Sequence, residues 1–532
     1  MKNNMLKIFG SMLLVAGTLA SCTKDLDRTP TNDVTSEVVY STYAGYKQAA
    51  AKVYGAFALT GNDGPAGNPD ILGLDEGTAD FTRLFWKAQE LSTDEAVVSW
   101  NDEGIRDFHN MNWTANNPML TGLYNRMVYQ ITVANEFMRE STPEKVAARG
   151  ITGADAEEIS KLRAEARFLR AFQYWVGMDL FARPPKILDT DQFGAGAPVQ
   201  WESRLALFDW IESELIALQS ELKAPKTNET GRVDQAAAWA LLSRIYLNAE
   251  IYREETTTAY YPKVIEFSKK VIDAGFGLED NYRQLFLADN HLNVKENILS
   301  VRYDGNQTKN YGGTTFIIHA SIGDNMSAAA FGVNGGWFGI RTTKNLVELF
   351  EDNSGETDRR AQFFANNLEI NDISKFTDGY AVTKFKNVKR NGSAGSDATG
   401  DFVDTDFPLF RAAEMYLNYA EAALKGGTPA EQAQALIYIN DLRVRAYNGS
   451  NDGKVATITK DFILDERARE LHWEGFRRTD LIRYQKFTDG SYLWPWKGGV
   501  KEGRAMPDHL RIYPIPVSDL SANPNLEQNT GY

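Results

Sequence analysis

Three aromatic residues stand in stretches of the sequence that are otherwise rich in glycine and polar side chains. Trp100 lies in VVSWNDEG, Tyr311 precedes two glycines in NYGGTTF, and Trp337 follows two glycines in NGGWFG. A glycine next to a ring lets another molecule approach closely, because no side chain intervenes. Sugars stack their C–H faces on such rings and bond their hydroxyls to Asp, Asn or Arg. The three stretches therefore predict sugar recognition if they converge in the fold, and packing in the core is the alternative.

Signatures of catalysis are scarce in this sequence. The five histidines form no HExxH motif, and we find no Walker loop, no G-x-G-x-x-G and no G-x-S-x-G. The acidic pair Asp75-Glu76 lies in a glycine-rich loop, and Asp465-Glu466 lies on a predicted helix, where adjacent residues do not face each other. Surface charge and helix capping are the favoured interpretation, although the many carboxylates leave a glycosidase-like acid/base pair open.

The single cysteine, Cys22, lies where a secretory signal would end. It follows Lys2, Lys7 and an apolar run of residues 8–20, which is too short to span a bilayer as a helix of about 20 residues. The ending Leu-Ala-Ser-Cys resembles the bacterial lipobox, in which the cysteine is lipidated and becomes the first mature residue. We therefore expect a lipoprotein signal peptide over 1–21, a polar tether over 22–36 and lipidation at Cys22. An ordinary signal peptide is the alternative.

Composition restricts the class of protein further. The chain has 532 residues, 43% of them hydrophobic and 24% charged, which is typical of a globular protein. Its formal net charge of −14 disfavours nucleic acid as a partner, because an acidic surface repels phosphates. With one cysteine, the sequence excludes a zinc or iron–sulfur site built from several thiolates.

Helical spacing of apolar residues recurs along the chain and supplies the elements that must position the three rings. It predicts helices over 37–57, 118–140, 159–181, 233–252, 260–276, 408–424 and 431–447. Trp239, Leu242, Ser243 and Tyr246 match the start of a tetratricopeptide repeat. We predict a mainly α fold of irregular tetratricopeptide-like helix pairs. Long loop-rich insertions, roughly 58–117 and 281–406, would carry the rings and short β-like runs such as TTFIIHA and YAVTKFKNV.

The C-terminal part of the chain carries a more specific pattern. The segment ILDERARELHWEGFRRTDLIRYQKF and the ending YPIPVSDLSANPNLEQNTGY resemble the SusD/RagB family of Bacteroidetes outer-membrane lipoproteins. The resemblance spans essentially the whole chain and implies one domain over 37–532. The charged residues of the segment around Glu466, Glu470 and Arg477 are expected to be structural, joining neighbouring helices through charge-assisted hydrogen bonds.

Within this family the chain looks most like the starch-binding member, through stretches such as PDILGLDEG, LSTDEAVVSW and YLWPWKGG. The resemblance implies an aromatic arc that follows a helical α-glucan. Its motifs place the arc and its polar contacts on Trp100, Tyr311, Trp337, Asp75 and Arg83. That member has Asn three residues after the first arc tryptophan, where this chain has Glu103, and Asn101 is the expected substitute. The family includes calcium-binding members, but this chain has no well-matched ligand set and His291 falls in the relevant loop. Calcium is therefore left open, and no metal or other cofactor is assigned.

The function predicted from these observations is that of a cell-surface glycan-binding lipoprotein without catalytic activity. It would capture starch or maltooligosaccharides and deliver them to a TonB-dependent SusC-like transporter, while anchored to the outer membrane by its lipid. The alternatives are a related binder of a different glycan, a protein-interaction adaptor built from the helix pairs and, third, an enzyme.

Overall fold

The computed structural model describes residues 36–532 except 62–63, 66–68, 76, 193 and 195. Cys22, the predicted signal peptide and the predicted tether up to residue 35 therefore lie outside the described residues.

The described part is mainly helical, as predicted. Its α-helices are α1 Ser36–Val39, α2 Tyr43–Gly55, α3 Phe81–Glu90, α4 Asp107–Asn110, α5 Pro118–Glu140, α6 Pro143–Ala148, α7 Ala154–Phe181, α8 Arg204–Glu221, α9 Gln235–Leu247, α10 Ala249–Tyr252, α11 Tyr261–Asp273, α12 Gly313–Ala320, α13 Lys344–Val347, α14 Ala412–Gly426, α15 Pro429–Ala446, α16 Lys460–Leu471, α17 Arg477–Arg483 and α18 Val517–Ala522.

Short antiparallel strand pairs connect distant parts of the chain. The strands are β1 Val97–Val98, β2 Asn297–Val301, β3 Ile340–Arg341, β4 Phe363–Phe364, β5 Ala381–Val382 and β6 Phe407–Arg411. They pair as β1 with β3, β2 with β6 and β4 with β5. Each pair joins two segments of the chain, and strand residues such as Val98, Leu299 and Phe410 pack into the same core as the helices.

The long helices pack on one another in succession and form the scaffold. α5 packs on α7, α7 on α8, α8 on α9, α9 on α11, α11 on α14, and α14 on α15 and α16. The residues that match the repeat pattern lie on α9, where Leu242, Ser243 and Tyr246 are buried. The Ser243 and Ser268 hydroxyls are hydrogen-bonded at 2.8 Å between α9 and α11, because small residues at this crossing let the two backbones approach. The predicted helix-pair architecture is thus confirmed.

Local capping explains where the helices begin. Asn117 precedes α5, and its side chain accepts hydrogen bonds from the backbone N–H groups of Met119 and Leu120, while Pro118 takes the first helical position. α5 therefore has the bounds that the sequence predicts, 118–140. Thr428 and Glu431 form a capping box at the start of α15.

Four charged residues of α16 are buried, and they are paired as the sequence predicts: Glu466, Arg467, Arg469 and Glu470. Glu470 accepts hydrogen bonds from Arg411 at 2.7 Å and from Arg445 at 2.6 Å. Arg360 reaches Glu466 at 2.8 Å, and Arg411 also reaches Glu474 at 2.6 Å. The network joins β6, α15 and α16. Burial alone would raise the pKa of Glu466, but Arg360, Arg469 and Arg443 hold it down to about 2.

Two secondary-structure predictions are wrong. TTFIIHA, predicted as a β-like run, is the helix α12, and every residue of α12 is buried. A run of seven residues that is buried on all sides is too short to show a periodicity that separates a helix from a strand. The helix predicted over 408–424 begins only at Ala412, because the residues before it form strand β6 and pair with β2.

Candidate functional site

The β1–β3 pair brings two of the three rings together. Its ladder pairs Val98 with Ile340, and Ser99 N–H continues it by donating to Gly339 O at 2.8 Å. One residue further on, the indole Nε1–H of Trp100 donates to Trp337 O at 2.9 Å. The strand pairing therefore sets the indole of Trp100 directly beside the Trp337 backbone.

Tyr311 completes the group from the loop before α12. Its ring centroid lies 6.3 Å from that of Trp337, and the two ring planes are inclined by 60°. Trp100, Tyr311 and Trp337 are all half-buried. The structure therefore brings the three predicted rings into one group that is partly open to solvent, and we call them the aromatic arc.

Buried aromatic side chains support the arc from beneath. The Phe316 ring, on α12, lies 6.1 Å from that of Trp100. The Phe402 ring lies 5.3 Å from that of Tyr311. Both phenylalanines are buried, so the arc residues rest on the core rather than projecting freely.

Glycines leave space for two of the arc rings. A Cβ atom at Gly339 would lie 2.3 Å from Cζ2 of Trp100, so any side chain there would displace the indole. A Cβ atom at Gly77 would lie 3.4 Å from Cβ of Tyr311, which is an ordinary contact distance. Of these two glycines, Gly339 is the one that is packed tightly against an arc ring.

Arg83 bonds to the backbone of Tyr311 and to that of the loop before α3. Its Nη1 donates to Tyr311 O at 2.9 Å and also to Gly77 O, and its guanidinium carbon lies 4.4 Å from the Phe316 ring centroid. Arg83 is buried, and burial lowers its pKa to about 10. In this arrangement Arg83 fixes Tyr311, and the role in direct sugar contact that the resemblance implies stays a prediction.

The other predicted polar residues lie at the surface. Asp75 is exposed, and one of its carboxylate oxygens accepts a hydrogen bond from Gly77 N–H at 2.6 Å. Asn101 and Glu103 are exposed and follow Trp100 in the chain, where Arg106 donates to Trp100 O at 2.8 Å. Their position next to the arc fits sugar contact, which stays a prediction for all three.

Asp80, which the motifs did not identify, connects two elements of the site. Its side chain caps α3 by accepting from Arg83 N–H at 2.8 Å, and the same oxygen accepts from Gly313 N–H at 2.8 Å, at the start of α12. Burial raises the pKa of Asp80 to about 6. A helix-capping residue can be recognised in a sequence. The second hydrogen bond of Asp80 joins residues more than 200 positions apart, and no local sequence pattern indicates it.

Phe338 is a second residue that the motifs did not identify. It follows Trp337, is 51% exposed and has a left-handed backbone with φ of 53°. Its ring contacts that of Phe376 with centroids 5.8 Å apart. Such a backbone is costly for a bulky residue, and the hydrogen bond from Phe338 N–H to Ile322 O at 3.0 Å helps to hold it.

The described residues offer no obvious place for a metal. Among them, no group of three or more His, Cys, Asp or Glu side chains could hold an ion. A cavity of about 850 Å³ lies at the ends of α8, α10 and α17, with a mixture of basic and acidic side chains around it. None of the arc residues lines that cavity, so the arc is a surface feature separate from it.

The chain is similar to known proteins both over its C-terminal third and along its full length. The sequence model of the SusD family matches residues 361–532. The starch-binding protein SusD of Bacteroides thetaiotaomicron is 33% identical, and the alignment covers 100% of both chains. A SusD-like protein of Bacteroides ovatus is 23% identical over 93% of this chain and 84% of its own.

Solved structures share the fold at lower identity. Surface glycan-binding protein A from Bacteroides fluxus superposes with a TM-score of 0.69 at 18% identity, covering 92% of this chain and 100% of its own. A laminarin-binding SusD-like protein superposes with a TM-score of 0.68 at 21% identity, covering 92% and 99%. Three of these four proteins are named for binding a glycan, in agreement with the prediction of a binding protein rather than an enzyme. With one-third identity to a SusD protein along its entire length and the same helical fold, the chain belongs to the SusD family.

Proposed function

We propose that this protein binds starch-like α-glucans at its surface through the aromatic arc. The observation that carries the proposal is the convergence of Trp100, Tyr311 and Trp337, which come from distant parts of the chain and remain half-exposed. Half-exposed rings with polar neighbours offer the apolar surface and the hydrogen-bonding groups that sugar binding needs. The 33% identical relative that is named for starch binding supports the choice of glycan.

The inclination of the rings favours a curved ligand. Tyr311 and Trp337 meet at 60°, so a ligand that touches both faces must bend between them. An α-1,4-glucan is helical and bends in this way, whereas a straight β-1,4-glucan would contact one ring. Recognition would then be mainly by shape, with Asp75, Asn101 and Glu103 next to the rings to bond hydroxyls.

The expected affinity is modest. Burial of about 60 Å² of ring face at about 25 cal/mol per Å² gives about 1.5 kcal/mol, or roughly tenfold in affinity for each ring. Three rings would contribute about 4–5 kcal/mol before the entropy cost of ordering the glycan. Dissociation constants in the micromolar to millimolar range, roughly, are therefore expected.

The place of action is part of the same proposal. A chain lipidated at Cys22 would be anchored to the outer membrane and exposed on the cell surface, where it would pass bound glycan to a TonB-dependent SusC-like transporter. In the part of the chain that the structure describes, none of the helices is both long and apolar enough to cross a bilayer. Support for lipid anchoring comes from the lipobox-like sequence and from the family.

One other glycan class deserves a comparison. A structural neighbour is named for laminarin binding, so a SusD-like fold also accommodates a glycan other than starch. Affinity electrophoresis of the purified protein in gels that contain starch, dextran or an unrelated β-glucan separates the candidates. We expect retardation by starch alone. Retardation by the β-glucan alone would mean that the ligand is a β-glucan and not starch. No retardation in any gel would favour a protein-interaction adaptor.

A further inference from the structure

His319 lies directly against the Trp337 ring of the aromatic arc. The imidazole and indole centroids are 4.7 Å apart, and the ring planes differ by only 16°, so the two rings are stacked. His319 is the penultimate residue of α12 and is 1% exposed. One face of the Trp337 indole therefore rests on a rigid, buried ring that belongs to the scaffold.

Both nitrogens of this imidazole meet backbone carbonyls. Nδ1 lies 2.7 Å from Gly335 O, in the loop that carries Trp337, and Nε2 lies 3.1 Å from Asp401 O, in the neighbouring turn. In addition, Trp337 N–H donates to His319 O at 2.8 Å. His319 thus contacts Trp337 through its ring, the loop through Nδ1 and the Trp337 backbone through its own carbonyl.

The turn that meets Nε2 is itself fixed. One carboxylate oxygen of Asp397 accepts hydrogen bonds from the N–H groups of Asp401 at 3.1 Å and Phe402 at 3.0 Å. Asn334 N–H donates to Gly400 O at 3.1 Å, and the Asn334 amide donates to Asp401 Oδ1 at 2.5 Å. His319 therefore stands between two segments that are also bonded to each other, and its orientation is tightly determined.

We propose that His319 is a positioning residue of the binding site, which sets the plane of Trp337 for the ligand without touching the ligand. This inference rests on the proposed function and deepens it. An indole that is held on one face presents its other face without losing rotamer freedom on binding, and such preorganisation increases affinity. Loss of the stack would allow Trp337 to move, and affinity would fall although all three arc rings remain.

The test uses two substitutions at the same position. His319→Ala removes both the stack and the polar contacts, and His319→Phe keeps a flat ring beneath Trp337 but loses the contacts to Gly335 and Asp401. We expect His319→Ala to weaken maltoheptaose binding by up to about the tenfold that loss of one ring gives, and His319→Phe to recover part of it. Titration calorimetry measures the affinities, and circular dichroism checks that each variant is folded at the measuring temperature.

A double-mutant cycle with Trp337→Ala distinguishes positioning from general structural support. If His319 acts through Trp337, His319→Ala will add almost nothing to the loss already caused by Trp337→Ala. His472 is the matched control, because it is also buried and stacked on a ring, that of Phe363, with centroids 6.3 Å apart and planes 27° apart. His472→Phe should leave maltoheptaose affinity unchanged.

The outcomes separate this inference from the proposed function. Weaker binding by Trp337→Ala but unchanged binding by both His319 variants would overturn the positioning role alone. Additive losses in the cycle would also overturn it, since His319 would then act independently of Trp337. If the wild type fails to bind maltoheptaose, the proposed function and this inference fall together.

Discussion

At the scale of single residues, the space around Trp100 is as important as the ring itself. Gly339→Ala would place a methyl group 2.3 Å from the present position of Trp100 Cζ2 and so force the indole to move. We expect maltoheptaose affinity to fall about tenfold, as for loss of the ring, although no aromatic residue is removed. Gly277→Ala is the control, because it lies outside the arc and its Cβ would meet no atom closer than 3.9 Å. Equal affinities of the two variants in calorimetry would contradict this account of Trp100.

The sequence indicates which rings form the arc but not what holds them. Trp100, Tyr311 and Trp337 are visible because each has glycine or polar neighbours in the chain. The supporting contacts of Phe316, His319 and Gly339 are made to residues distant in sequence, which leaves no local pattern. The motif pointed to Arg83, and the structure adds its hydrogen bond to the backbone carbonyl of Tyr311.

At the scale of elements, Asp80 links α3 to the start of α12, and its burial makes the link pH-dependent. Its pKa is raised to about 6 from a usual value near 3.8, so its contribution to stability is fully present below about pH 4 and is lost as the pH rises through 6. Asp80→Asn cannot ionise. Between pH 4 and pH 7, the wild type should therefore lose up to about 3 kcal/mol of unfolding free energy that the variant keeps. The difference in unfolding free energy between the two proteins should change by that amount. Urea unfolding at both pH values measures it, and a constant difference would contradict the assignment.

The buried ion network that joins β6, α15 and α16 makes a second prediction at this scale. Glu470→Gln keeps the shape of the side chain but leaves Arg411 and Arg445 without its charge. Breaking a buried pair in this way should lower the free energy of unfolding by about 3–5 kcal/mol. Glu266→Gln, which removes an exposed partner of Lys270, should cost less than about 0.5 kcal/mol. If denaturant unfolding gives similar losses for the two variants, the network does not support the fold.

Elements with a clear amphipathic period and a capping signal are predicted well from the sequence, and α5 is the best example. The failures fall where tertiary context decides. In α12, a buried run with β-branched residues becomes helical and packs on α3. Before α14, the chain extends over Phe407–Arg411 because β2 supplies a pairing partner.

At the scale of the whole molecule, the proposed lipidation at Cys22 makes the position of the protein in the cell testable. Cys22→Ala should abolish incorporation of labelled fatty acid and leave the protein uncleaved or soluble, because its thiol is the proposed site of attachment. Metabolic labelling and membrane fractionation measure both effects. A Cys22→Ala protein that still carries label and still sediments with the outer membrane would show that the anchor lies elsewhere.

The whole-molecule assignment was accessible from the sequence because the signature segment and the C-terminal ending are long and specific. Helix pairing followed from periodicity, and membership of the SusD family from similarity along the full chain. The arrangement of the arc could not be derived in the same way, because it depends on the β1–β3 pairing between residues about 240 positions apart.

The central claim is that the three rings of the aromatic arc select a curved glucan. Titration calorimetry of wild type and Trp100→Ala with maltoheptaose, α-cyclodextrin and cellohexaose tests it most directly. We predict measurable binding of the two curved ligands, roughly tenfold weaker binding of both by Trp100→Ala, and little or no binding of cellohexaose by either protein. Equal affinity for cellohexaose and maltoheptaose, or unchanged affinity in Trp100→Ala, would contradict the account.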